Sequence, residues 1–151
     1  MLKKVLIVDA SALIHRKYTL VLKRYGCEII VAANGRDGLE LLADNPDLDL
    51  VLLGIHMPVM DGLDFLRIVR RSNHGPVPIV LLTTEGEEED VLHGIALGAQ
   101  GFVKKNDPPY TLHKLLDRLF LWAGTPRCGT GAFPKKQNDG ASPRAGYRLV
   151  V

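Results

Sequence analysis

Three polar side chains with useful chemistry come directly after short apolar runs of the sequence. They are the carboxylate of Asp9, the hydroxyl of Thr83 and the ammonium of Lys105, and a further apolar run ends at Gly54, which has no side chain. If the runs are parallel strands, their carboxyl ends meet at one edge of a sheet, in the crevice where ligands bind. We therefore expect these four positions to surround one point. Gly54 offers no nucleophile there, so any chemistry depends on the other three.

The elements that position these residues alternate regularly between strand and helix. Short apolar runs bounded by turn residues predict buried strands, and apolar residues at helical spacing between them predict helices. The predicted strands are Lys3–Val8, Glu28–Ala33, Leu50–Leu53, Ile79–Leu82 and Gly101–Lys104. Helix starts are indicated by capping residues, a capping box and a proline, at Ser11, Asn34, Asp61, Thr84 with Glu87, and Asp107 with Pro108.

This order predicts an α/β fold with five βα units. Helical connections between short buried strands favour right-handed crossovers and one five-stranded parallel sheet, doubly wound with helices on both faces. Residues 1–123 form the predicted domain. From Gly124 onward Gly, Pro, Ser and basic residues dominate, which predicts an irregular tail or linker over residues 124–151.

Composition excludes several classes of protein. No apolar run approaches the ~20 residues that a membrane-spanning helix needs. Cys27 and Cys128 show neither zinc spacing nor a disulfide framework, which favours the reducing cytoplasm. The net charge of +2 is unevenly placed, because the tail has five basic residues against Asp139. The folded part has no basic bias, so nucleic-acid binding is not expected of it, and the tail has only a mild one.

Several sequence blocks in order resemble the receiver domain of bacterial two-component response regulators, over residues 1 to about 123. The blocks are VLIVDAS, VLLGIHMPVMDG, PIVLLTT and GAQGFVKK, which end the first, third, fourth and fifth predicted strands. The resemblance implies a flavodoxin-like fold and a role in phosphorelay signal transduction rather than an enzyme. An enzyme of unrelated chemistry stays a minor alternative, because one α/β frame hosts many activities.

The resemblance also implies roles for single residues. In that family an aspartate ends the third strand and accepts a phosphoryl group, while neighbouring acidic residues hold Mg²⁺. Asp9 matches the first acidic residue, Thr83 the switch hydroxyl, and Lys105 the lysine that contacts phosphoryl oxygens. His56 matches the position whose backbone carbonyl helps bind the metal, and Phe102 the aromatic position that changes rotamer on activation.

Two matches fail at the chemistry itself. Gly54 stands at the acceptor position, and Ala10 stands at the position of the second acidic residue. One carboxylate, a carbonyl and water make a poor Mg²⁺ site, so no metal or other cofactor is expected. We expect an ion pair between Asp9 and Lys105 instead. Asn106 replaces the proline that commonly follows the lysine, and a trans peptide is expected before it.

These residues also have plainer interpretations. Asp9 and Lys105 are expected to form a structural ion pair, Thr83 to satisfy backbone groups, and Phe102 to pack. A lone loop histidine such as His56 is rarely a ligand or a phosphohistidine. The acidic residues from Glu87 to Asp90 suit a helix amino end, where the macrodipole stabilises carboxylates.

The sequence thus predicts a phosphorylation-independent receiver that works as a protein-interaction module. Expected partners are a signalling protein such as a histidine kinase or an effector, with a homodimer possible through the face of the fourth helix, fifth strand and fifth helix. The contact residues predicted there are Glu88, Asp90, Val91, Ile95, Tyr110 and Lys114. The alternative is an ordinary phosphorylatable receiver whose acceptor aspartate was replaced by Gly54.

Overall fold

The computed structural model of the protein describes residues 2–72 and 76–121. The predicted tail over 124–151, and the domain boundary at 123, lie outside the described residues. None of the helices within the described ranges is long and apolar enough to cross a membrane.

Five strands alternate with five helices along the described chain. The strands are β1 (Lys4–Val8), β2 (Glu28–Ala32), β3 (Leu50–Gly54), β4 (Ile79–Thr83) and β5 (Gly101–Lys104). The helices are α1 (Ala12–Lys23), α2 (Gly35–Asp44), α3 (Gly62–Arg71), α4 (Glu88–Ala96) and α5 (Pro109–Leu116), and α5 continues into a π-helical turn over Asp117–Leu121.

All strand pairs are parallel, and the sheet order is β2-β1-β3-β4-β5. The order reverses at β1, so β1 and β3 are neighbours although β2 lies between them in sequence. Such a reversal leaves a crevice at the carboxyl ends of these strands. The predicted flavodoxin-like, doubly wound architecture is confirmed.

The core lies in two layers, one on each face of the sheet. On the first face, Tyr18 and Leu22 of α1 pack with Leu112 and Leu116 of α5 against side chains of the strands. On the second face, α2 and α3 pack against the opposite side of the strands, and Ile95 of α4 joins them there. The strands β3 and β4 are buried on both faces, which explains their unbroken apolar runs.

Most predicted helix starts are confirmed by side-chain caps. Asn34 accepts a hydrogen bond from Asp37 N–H and Asp61 from Asp64 N–H, both at 2.9 Å, and Ser11 caps α1. The predicted start at Thr84 is wrong. Glu87 does accept a hydrogen bond from Thr84 N–H at 2.7 Å, but Gly86 between them has φ +86°, which no helix accommodates, so α4 begins after Glu87.

Burial of Tyr18 makes the fold sensitive to alkaline pH. Its side chain is 1 % exposed. Desolvation by burial, helped by the negative charges of Asp107 and Asp9, raises its pKa from 10.0 to about 12. A phenol that stays neutral when folded and ionises when unfolded contributes stability below pH ~10, and that contribution is lost as pH rises towards 12, at about 1.4 kcal/mol per pH unit.

We therefore predict that Tyr18→Phe loses less stability than the unmodified protein between pH 8 and pH 11. Urea unfolding at the two pH values measures the difference. The phenol of Tyr25 and the thiol of Cys27, whose pKa values burial also raises, remain in both proteins and cancel in this comparison. Equal losses in the two proteins would show that Tyr18 does not carry the effect.

Candidate functional site

The carboxyl edge of the sheet brings the predicted site residues together. Asp9 follows β1, Gly54 ends β3, Thr83 ends β4 and Lys105 follows β5. Because these strands are adjacent and in parallel register, the four residues surround one point, as the sequence predicts. Thr83 is 2 % exposed, and its carbonyl oxygen accepts a hydrogen bond from Lys105 N–H at 2.7 Å.

An ion pair occupies the centre of this site. Lys105 Nζ lies 2.7 Å from Asp9 Oδ2, and the Asp9 side chain is 3 % exposed against 20 % for Lys105. The other oxygen, Asp9 Oδ1, accepts a hydrogen bond from Ser11 N–H at 2.9 Å. The predicted contact between Asp9 and Lys105 is present as an ion pair at Oδ2, and the hydrogen bond from Ser11 N–H is made at Oδ1. Ala10, beside Asp9, is exposed and adds no side-chain oxygen.

The Asp9 carboxylate fills the space that a side chain at position 54 would need. A Cβ built on Gly54 would overlap Asp9 Oδ2 and lie 3.0 Å from Asp9 Cγ. Behind Gly54, Gly62 at the start of α3 donates its N–H to the Ile55 carbonyl at 2.7 Å, and its own missing Cβ lets it pack against the Gly54 carbonyl. The end of β3 is therefore closely packed on two sides.

His56 is directed away from this centre. Its Nε2 lies 3.1 Å from Asp90 Oδ2 and 3.6 Å from Glu87 Oε2, so it links the loop after β3 to the start of α4. The imidazole is 65 % exposed. Within residues 2–72 and 76–121, no three His, Cys, Asp or Glu side chains come together in a group that could hold a metal ion.

Lys17 is a site residue that sequence reasoning missed. Its Nζ donates to the carbonyl oxygens of Lys105 and Asp107, the second at 3.0 Å, and so ties α1 to the loop after β5. The peptide before Asn106 is trans, since the described residues contain no cis peptide bonds. The sequence offers one indication of the role of Lys17. Its spacing from Ile14 and Val21 places this basic residue at the edge of the apolar face of α1.

The predicted interaction surface is corrected at one residue. Val91 is 8 % exposed and faces inward with Gly94, which approaches Leu81 closely, so it cannot contribute to a docking surface. Ile95 and Phe102 are partly buried and pack against the second core layer. Their neighbours Glu88, Tyr110 and Lys114 are exposed, Asp90 is half-buried, and Leu92 is 70 % exposed in place of Val91.

Comparison with known proteins agrees with this geometry. Residues 5–117 match the family model of the response regulator receiver domain. Chemotaxis protein CheY1 of Helicobacter pylori is 32 % identical over 124 residues, which cover 81 % of this chain and 98 % of that protein. A probable transcriptional regulatory protein of Picosynechococcus is 34 % identical over 122 residues, and the match spans only 47 % of its length.

Solved structures show the same likeness. Chemotaxis protein CheY4 of Vibrio cholerae superposes with a TM-score of 0.70 at 37 % identity, covering 78 % of this chain and 98 % of that one. A putative response regulator from Chloroflexus aurantiacus gives a TM-score of 0.74 at 25 % identity, covering 80 % and 99 %. This chain therefore belongs to the response regulator receiver domain family.

Proposed function

We propose that this receiver domain signals without phosphorylation at position 54 and serves as a protein-interaction module in a two-component pathway. One observation carries the proposal. The Asp9 carboxylate, paired with Lys105, occupies the volume in which a side chain at position 54 would have to lie. The site is packed around a glycine, as expected of a domain adapted to having no acceptor there.

The missing nucleophile supports the same conclusion. Formation of an acyl phosphate needs a carboxylate oxygen that attacks phosphorus, and Gly54 has none. Asp9 is a poor substitute acceptor, since its side chain is 3 % exposed and its Oδ2 already faces the Lys105 ammonium. An attacking carboxylate would have to leave that partner, and an unpaired buried charge is costly.

The residues present do not fit the Mg²⁺ ion that the family uses. Magnesium prefers near-octahedral oxygen ligands. Asp9 supplies the one carboxylate of the group, and its oxygens are engaged by Lys105 and by Ser11 N–H. Ala10 supplies no ligand, so the backbone carbonyl of His56 is the one further protein oxygen that the family pattern offers here, too few for this ion. We propose that the positive charge that neutralises Asp9 comes from the Lys105 ammonium and not from a metal ion.

The proposed partners are those of the family in general, namely a histidine kinase or an effector protein. We propose that the domain binds them in the cytoplasm. We assign the domain no enzymatic activity of its own. Among its relatives are chemotaxis proteins and transcriptional regulators, so the output differs from protein to protein within the family. The face of α4, β5 and α5, with Glu88, Tyr110 and Lys114 exposed, is the surface we propose for contact with these partners.

We predict that the unmodified protein gains no phosphoryl group from acetyl phosphate and Mg²⁺, as measured by intact mass. Gly54→Asp is expected to gain little, because the new carboxylate must displace Asp9 from Lys105 and Ala10 still leaves one ligand missing. Gly54→Asp combined with Ala10→Asp should gain the most. A stable gain by the unmodified protein that Asp9→Asn abolishes would refute the proposal, because it would reveal an acceptor at this edge. Full recovery by Gly54→Asp alone would favour a simple loss of the acceptor.

A double-mutant cycle tests whether Asp9 fills the space above Gly54. Gly54→Ala should lower the free energy of unfolding by about 1–3 kcal/mol, because the methyl group overlaps Asp9. In a protein that already carries Asp9→Ala, Gly54→Ala should lower the free energy of unfolding by a smaller amount. Urea unfolding should give an interaction energy between the two substitutions of about 0.5 kcal/mol or more. Gly62→Ala is the matched control. A methyl group at position 62 would overlap the Gly54 carbonyl and not Asp9, so the stability lost by Gly62→Ala should be the same with or without Asp9→Ala.

A further inference from the structure

Helix α1 presents an exposed stripe that is both apolar and basic. Leu13, Arg16, Leu20 and Lys23 follow one another at helical spacing and are all exposed, with Leu13 at 73 % and Leu20 at 62 %. The helix contains no acidic residue, and its sequence is ALIHRKYTLVLK. Large leucines exposed between cations indicate a surface suited to an acidic partner with apolar side chains.

Helix α4 presents the opposite pattern. Glu88 and Glu89 lie four and three residues before Leu92, so the three share one face, and all are exposed. Leu92 is 70 % exposed, and the helix contains neither lysine nor arginine. The macrodipole accounts for the carboxylates in the first turn, and Leu92 adds an exposed apolar group beside them.

Both stripes lack electrostatic partners within the described part of the chain. Among residues 2–72 and 76–121, none of the ion pairs involves Arg16, Lys23, Glu88 or Glu89. One molecule cannot pair its own two stripes, because α1 packs on the first face of the sheet and α4 on the second. Complementary surfaces on opposite faces of one domain meet only between molecules.

We propose that the protein associates head to tail, with the α1 stripe (Leu13, Arg16, Leu20, Lys23) of one copy bound to the α4 stripe (Glu88, Glu89, Leu92) of the next. The contact is heterologous, since different surfaces meet, so it extends into chains or closes into rings. It differs from a symmetric dimer through the face of α4, β5 and α5. It does not depend on whether position 54 takes phosphate.

The size and charge of the stripes set the expected behaviour. A contact made by one helix from each partner lies at the small end of specific interfaces, so the association is weak and reversible. The charged residues of both stripes are exposed. Salt screens such charges beyond a Debye length, which is about 10 Å at 0.1 M and shorter at higher salt. The mass should therefore rise with protein concentration past that of a dimer at low ionic strength, and fall back towards a monomer at high ionic strength.

Sedimentation velocity of the full chain at about 50 mM and about 500 mM salt tests the first expectation. Two variants test the surfaces, namely Arg16→Glu/Lys23→Glu on α1 and Leu92→Glu on α4. Each alone should weaken self-association about tenfold or more, because like charges then face each other or a carboxylate replaces the leucine. Arg36→Glu, an exposed change of the same kind on α2, is the matched control and should associate like the unmodified protein.

Mixing the two variants gives the decisive result. The Leu92→Glu chain keeps an intact α1 stripe and the Arg16→Glu/Lys23→Glu chain keeps an intact α4 stripe, so the mixture should form a one-to-one complex that stops at two chains. Circular dichroism verifies folding, and Arg16→Ala/Lys23→Ala replaces the charge reversal if that variant unfolds. A monomeric unmodified protein, a variant that associates normally, a mixture that stays monomeric, or a salt-independent symmetric dimer would each overturn the proposal.

Discussion

The buried ion pair between Asp9 and Lys105 is the interaction on which the carboxyl edge of this sheet depends. It joins the ends of β1 and β5 across β3 and β4, and Gly54 at the end of β3 leaves room for the carboxylate. The Asp9 carboxylate is nearly withdrawn from water, whereas Lys105 keeps a fifth of its side chain exposed. Removal of Lys105 would leave a buried, uncompensated carboxylate, which is strongly destabilising in buried pairs. Two further contacts adjoin the pair: Ser11 N–H donates to the second carboxylate oxygen, and the Lys17 ammonium donates to the backbone carbonyl of Lys105.

Close backbone packing is the second constraint, and it explains why glycine occurs twice at the end of β3. Gly54 makes room for a side chain from β1, while Gly62 lets α3 begin directly against the Gly54 carbonyl. The loop between them reverses direction through Val59, whose φ of +70° is unusual for a β-branched residue, with its side chain 73 % exposed. The turn is closed by a hydrogen bond from Met60 N–H to the Pro58 carbonyl at 2.7 Å.

Much of this structure could be predicted from the sequence, and the failures have physical causes. Apolar runs and caps predict the strands and most helix starts because they depend on neighbouring residues alone. The start of α4 was misplaced because Thr84 and Glu87 make their hydrogen bond whether or not a helix follows, and the conformation of Gly86 decides the matter. The sequence does not predict the burial of Val91, because periodicity does not reveal how closely Gly94 lets the helix approach Leu81. Lys17 was missed because it binds the backbone of a loop 88 residues away, where side-chain patterns carry no information.

The built-in ion pair also limits how such a domain can be switched. A ligand shifts a conformational equilibrium only by the difference between its affinities for the two states. A phosphoryl group and a metal would supply that difference at the carboxyl edge, but here Lys105 already neutralises the carboxylate and Gly54 offers no attachment point. Under the proposed function, a large shift comes from proteins that bind the outer surfaces. His56 connects the loop after β3 to one of these surfaces through Asp90 of α4. If the domain works as proposed, its regulation follows from what binds its helices, since the charges at the edge of the sheet are paired within the chain itself.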